Sequence, residues 1–137
     1  MKISIYTDGG SRGNPGISGY GLVILDESKN ILYQEGKFLG IKTNNEAEYM
    51  GLVAALTWVK NNPDNLKISS LSVFADSQLM IRQMQGVYKV KSPNLINFYK
   101  IAKHFVSQFD FPVTFTDIRR EFNKLADELA NQAMDQK

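Results

Sequence analysis

The chain contains no cysteine. Disulfide bonds and thiolate metal sites are therefore excluded, and the composition fits a reducing compartment. No apolar run approaches the roughly 20 residues that a membrane helix needs. The N-terminus enters a strand-like run, Lys2-Ile3-Ser4-Ile5-Tyr6, and meets Asp8 at once, which is not the pattern of a signal peptide. Excess charge is also lacking. Sixteen Lys and Arg stand against fourteen Asp and Glu, a net +2, with pI near 8.8. This permits nucleic-acid binding without arguing for it. Internal repeats, linkers and low-complexity tracts are absent. What remains is 137 residues with 43% hydrophobic content, enough for one compact core. The expectation is one cytoplasmic domain over residues 1–137, monomeric and without a membrane partner.

Four acids sit where a folding chain should not want a carboxylate. Asp8 and Asp76 each close an apolar strand-like run. Glu48 lies on the buried side of a helix, and Asp127 flanks the apolar stripe of the last helix. An unpaired buried carboxylate is costly, so each needs a proton, a base or a metal. With few basic residues nearby in sequence, a hard divalent cation is the simplest common partner.

The coarse order of elements is β-β-β-α-β-α-α-β-α. Residues 2–8 alternate as a strand, and Gly9 to Gly16 read as a long turn because Gly and Pro punctuate them densely. Residues 18–26 and 30–39 read as a hairpin. Thr43-Asn44-Asn45 supplies N-cap chemistry for a helix to about Asn61, ended by Asn62-Pro63-Asp64. A strand over 68–75, a short helix over 77–85 and a helix from Pro93 to about Phe109 follow. A strand over 112–118 and a helix over 123–136 complete the chain. Such an order implies an α/β fold with a mixed sheet and helices on its faces.

Helical geometry separates Glu46 from Glu48. At about 100° per residue the two point roughly 200° apart. Glu46 falls with Thr57, Lys60 and Asn61 on a polar face, as a solvated charge. Glu48 falls among Ala47, Tyr49, Gly51, Leu52, Ala55, Leu56, Trp58 and Val59, and points inward. The alternative for Glu48 is a buried acid paired with a base or hydroxyl. For Asp8 and Asp76, each alone, it is a turn-forming Asp. If their strands are parallel neighbours, both carboxylates emerge at one sheet edge. Asp127 borders the stripe Leu125, Ala126, Leu129, Ala130, Ala133, whereas Glu128 points away. Its alternative is a boundary charge near a helix start.

These blocks resemble type 1 ribonuclease H over nearly the whole chain. The matching segments are Thr7-Asp8-Gly9 through Gly13-Asn14-Pro15-Gly16, Thr43-Asn44-Asn45 with Glu48, Asp76-Ser77-Gln78, and Asn123 through Ala130. Each is modest alone; all four in order are specific. The resemblance implies a five-stranded mixed sheet, three antiparallel strands then parallel ones, flanked by helices. It also implies hydrolysis of the RNA strand of RNA–DNA hybrids, leaving 5′-phosphate and 3′-hydroxyl. Asp8, Glu48, Asp76 and Asp127 take the catalytic and metal-binding positions, with two Mg²⁺ ions, or Mn²⁺ as substitute, when substrate is bound. Asp8 would bridge, Asp76 and Glu48 would serve one ion, and Asp127 the other. Asn14, Asn44, Asn45 and Gln78 would contact RNA, and Thr43 a DNA phosphate. The alternatives are a turn for Asn14, an N-cap for Thr43 and an exposed helix residue for Gln78.

The chain departs from the pattern twice. The segment between Gly86 and Pro93 is too short for a basic helical protrusion, although Tyr88-Lys89-Val90-Lys91 offers a small basic–aromatic patch. No His occurs after His104, which lies outside every matching block and is not assigned to catalysis. Arg119 and Arg120 occupy that stretch, as in the His-lacking branch; Arg120 or Arg119 would meet the scissile phosphate or the leaving metal, or either would pair with an acid. The competing readings are a non-catalytic hybrid-binding module, another nuclease of the superfamily and a detached reverse-transcriptase domain. Loss of an acid would favour the first, and all four are present.

Overall fold

A computed structural model describes residues 1–62 and 67–136. Five strands form one sheet: β1 (Lys2–Arg12), β2 (Gly16–Leu25), β3 (Ile31–Lys42), β4 (Ser70–Ala75) and β5 (Val113–Asp117). Their spatial order is β3-β2-β1-β4-β5. The pairs β1–β2 and β2–β3 are antiparallel, and β1–β4 and β4–β5 are parallel. The helices are α1 (Asn44–Asn61), α2 (Gln78–Met84), α3 (Pro93–Gln108) and α4 (Lys124–Met134). The expected five-stranded mixed sheet and the element order both hold. One short 3-10 turn, Arg120–Phe122, was not expected.

Alternation along the strands divides the molecule into layers. Ile3, Ile5, Leu22, Ile24, Leu71 and Val73 are buried on the face that carries α1. Leu52, Leu56 and Val59 of α1 meet them there. Fully burying one such aliphatic side chain contributes about 1.5–3 kcal/mol, so this layer anchors α1 firmly. The opposite face carries α4, whose buried side chains are mostly alanines.

The expected long turn from Gly9 to Gly16 is corrected. β1 continues to Arg12, pairing Gly9 with Tyr20 and Arg12 with Ile17. Gly9 and Gly21 are glycines because helices lie against them. A Cβ on Gly9 would stand 2.4 Å from the Ala47 carbonyl carbon, and one on Gly21 would stand 2.1 Å from the Ala126 oxygen. In sequence, that need for close approach reads the same as a turn. β2 starts two residues before the expected bound and β3 runs three residues past it, and the fourth strand begins at Ser70 rather than at 68.

The ends of α1 follow from local chemistry. Thr43 Oγ1 accepts from the Glu46 N–H, and Glu46 returns a bond from its carboxylate to the Thr43 N–H, a capping box. Glu46 is thus a half-buried cap rather than the expected solvated charge. At the other end Asn62 Nδ2 donates to the Trp58 oxygen. Pro63 and Asp64 of the expected stop lie outside the described residues.

Candidate active site

The β1–β4 ladder ends at the pair Thr7 and Ala75. Asp8 and Asp76 are the next residues along the chain, so they leave the ladder together at the carboxyl end of a parallel pair. Tyr6 and Phe74, two residues earlier, stack at 4.9 Å between ring centres and confirm the register. Asp8 does not end its strand, as expected from sequence; it ends only the pairing with β4, while β1 runs on against β2. Glu48 reaches the same spot from the second turn of α1, where its carboxylate accepts from the Gly9 N–H. The notch at Gly9 permits that approach.

One carboxylate oxygen from each of Asp8, Glu48 and Asp76 can be chosen so that all lie within 4.8 Å of one another. Glu48 is 6% exposed and Asp8 9%. Among the described residues no Lys or Arg nitrogen comes within 4.0 Å of any of the three. Burial first, then the charges of Glu48 and Asp76, push the Asp8 carboxyl far above the usual range. Burial and Asp76 also raise Glu48, opposed by the hydrogen bond from Gly9. A group of hard oxygen donors that cannot all ionise alone fits a divalent cation. These residues could hold a metal ion.

Asp127, in the first turn of α4, lines the same cavity of about 490 Å³. Arg120 Nη2 stands 3.4 Å from Asp127 Oδ1. Asn123 clasps this corner: its side-chain amide donates to the Thr7 carbonyl at 2.8 Å, and its own carbonyl accepts from the Asp127 N–H.

A family profile described as reverse transcriptase-like matches residues 6–133. The bifunctional protein Rv2228c of Mycobacterium tuberculosis is 42% identical over 136 residues, 98% of this chain but 36% of that protein. This chain therefore spans little more than a third of that relative. The structure of LC11-RNase H1 in complex with an RNA/DNA hybrid matches at 45% identity and TM-score 0.92, covering 98% of this chain and 97% of that one. RNase H1 from the halophilic archaeon Halobacterium salinarum matches at 33% identity and TM-score 0.90, covering 100% of both chains. The chain belongs to the ribonuclease H family.

Within this ribonuclease H fold the remaining sequence-derived residues are placed unequally. Asn44 and Asn45 line the cavity, as does Arg120. Asn44 is tied down by its neighbours. Its side-chain oxygen accepts from the Ser11 N–H at 2.7 Å, and its N–H donates to Asn14 Oδ1 at 3.1 Å. Asn14 therefore braces the start of α1 from the β1–β2 turn. Thr43 is the N-cap. Gln78 is the first residue of α2 and exposed, while its neighbour Ser77 lines the cavity.

Sequence reasoning missed the far wall. Arg12 Nη1 pairs with Asp135 at 2.7 Å, and Arg12 Nη2 donates to the Asn131 carbonyl. This pins the end of α4 across the mouth. Contacts over more than a hundred residues leave no signal in one sequence. Asn123 lay inside a matching block, but nothing local separates a clasp from an ordinary N-cap.

Proposed function

We propose that this chain is an endoribonuclease that hydrolyses the RNA strand of RNA–DNA hybrids. The observation that carries the reading is the approach of Asp8, Glu48 and Asp76 within 4.8 Å, with Asp127 on the same cavity. Such a group suits phosphodiester hydrolysis because it can be filled only by cations or protons. Asp8, Glu48 and Asp76 would hold one Mg²⁺, with Mn²⁺ as substitute. Asp8, shared as the bridge, and Asp127 would hold the second once substrate is bound. Bound cations supply an acidified water and charge neutralisation at the leaving oxygen.

The chain's own residues do the rest. Glu48 is fixed by the Gly9 N–H and cannot turn away. Asn44 and Asn45 offer amides to a 2′-hydroxyl, the group that distinguishes RNA from DNA. Asn14, Thr43 and Gln78 extend that contact along the two strands. Arg120, exposed beside Asp127, can leave its ion pair to meet a phosphate. The products are a 5′-phosphate and a 3′-hydroxyl. The unit acts as one domain over 1–137, as a cytoplasmic monomer of the His-lacking branch. No helix among the described residues is long and apolar enough to cross a membrane.

The test uses end-labelled RNA in RNA–DNA, RNA–RNA and single-stranded form, with Mg²⁺, Mn²⁺ or EDTA. Metal-dependent internal cleavage of the hybrid is expected. Tight hybrid binding without cleavage in any metal would instead establish a non-catalytic module. Asp76→Asn with undiminished cleavage would overturn the proposed roles.

A further inference from the structure

A second cavity, of about 310 Å³, opens between edge strand β3 and the C-terminal half of α1. Its floor is Glu35. Tyr20 donates to Glu35 Oε1 at 2.7 Å and Tyr33 to Oε2 at 3.0 Å. Burial and the Glu35 charge both raise the pKa of each tyrosine, so the hydroxyls stay protonated as donors. Tyr33 and Trp58 stack at 5.6 Å with 18° between planes and form an aromatic wall. Gly51 makes room for this arrangement, since a Cβ there would stand 3.1 Å from the Tyr20 Cβ.

The hydrogen-bond inventory of the cavity is lopsided. Tyr20 and Tyr33 spend their only protons on Glu35. Thr57 spends its own on the Val53 carbonyl, and Asn62 gives one amide proton to the Trp58 carbonyl. What these hydroxyls and the carboxylate have left is lone pairs. The side-chain amides of Asn61 and Asn62 add further acceptor oxygens, with their remaining N–H groups left as unspent side-chain donors. Among the described residues no basic group lies within 4.0 Å of Glu35. A half-buried carboxylate is thus held ready, beside stacked π-faces, with no counter-ion among the described residues.

We propose that this cavity binds the guanidinium of an arginine side chain carried by a partner polypeptide. A guanidinium is planar, brings five donors and no acceptor, and stacks on aromatic rings. It complements the carboxylate, the spent hydroxyls and the Trp58–Tyr33 wall together. Free arginine fits less well, because its own carboxylate would enter a field of acceptors. The site lies apart from the acidic cluster, shares no residue with it and does not depend on the hydrolytic reading.

Trp58 is the only tryptophan of the chain, so its fluorescence reports on the cavity directly. The experiment titrates the protein with N-acetyl-arginine methylamide, its neutral citrulline counterpart and free arginine. The arginine amide should give a saturable change with Kd on the order of 1 mM. The citrulline amide, similar in shape but uncharged, should bind at least ~10-fold more weakly. Glu35→Gln should abolish the difference between the two. If that variant does not fold, Thr57→Lys sets an ammonium at the same mouth and should abolish arginine binding by occupying the carboxylate. Absence of a saturable response, equal binding of citrulline, or variants that bind like the parent would overturn the assignment. Tighter binding of free arginine than of the amide would overturn the polypeptide source.

Discussion

The acidic cluster makes a quantitative demand on stability. Asp8 and Glu48 both have carboxyl pKa values raised in the folded chain. The folded state therefore keeps protons that the unfolded chain releases. Stability from this source is complete below the unfolded carboxyl range, near pH ~4, and is lost as pH rises toward the folded values. Each such proton is worth about 1.4 kcal/mol per pH unit. Because the two groups interact, between one and two protons are in play, or about 1.4–2.7 kcal/mol per unit. For a chain of this size that is roughly 5–9 °C in Tm per pH unit. Thermal unfolding in EDTA should thus show Tm falling from about pH 5.5 to about pH 7.5. Millimolar Mg²⁺ should oppose the fall, by about 2.7 kcal/mol when present at ~100 times its Kd, and its effect should shrink toward acid pH as protons compete. Asp8→Asn removes the repelling charge. It should be more stable than the parent in EDTA at neutral pH and should respond little to Mg²⁺. A flat Tm in EDTA, or an Asp8→Asn variant less stable than the parent at neutral pH without metal, would refute the reasoning.

Three further outcomes follow from neighbouring parts of the structure. Glu46→Ala should cost about 1 kcal/mol through the lost capping box and retain hybrid cleavage, whereas Glu48→Gln should cut cleavage by roughly 10²–10³-fold or more; chemical denaturation and a cleavage assay separate the two. Gly21→Ala puts a Cβ 2.1 Å from the Ala126 oxygen, so α4 must shift. A loss of about 1–3 kcal/mol in urea unfolding is expected, with reduced cleavage because Asp127 moves with the helix. Asn123→Ser should cost about 1–3 kcal/mol by orphaning the buried Thr7 carbonyl, and should raise the Mg²⁺ concentration for half-maximal Tm shift, which an equally destabilising core variant would not do.

The parts of the fold that were legible in sequence are those decided by periodicity. The inward turn of Glu48 followed from residue spacing, because α1 is long enough for its apolar arc to be unambiguous and its inner face is fully buried. The common edge expected for Asp8 and Asp76 required their strands to be parallel neighbours, and β1 and β4 pair in that way. The family resemblance supplied the strand count and the antiparallel-then-parallel arrangement, which no local pattern contains. What was not legible depends on what lies across from a residue. Glu46 reads as a surface charge until the Thr43 N–H is seen to need an acceptor. Arg12 and Asp135 are ordinary surface charges until the end of α4 is known to cross β1.

The glycines show why that limit falls at the acidic cluster itself. Glu48 can accept from the Gly9 N–H only because α1 rides directly on the strand there, with no space for a methyl group. Asp127 reaches the cavity that Asp8 lines because α4 rides as closely on Gly21, the residue paired with Asp8. The two notches lie on opposite faces of the sheet and set the depth of the two helices. A side chain at either would lift one helix by a fraction of an ångström or more, and carboxylates that share an ion tolerate little such displacement. The glycine-rich segment thus contributes no chemistry of its own. It lets Glu48 from α1 and Asp127 from α4 reach the cavity that Asp8 and Asp76 line from the sheet.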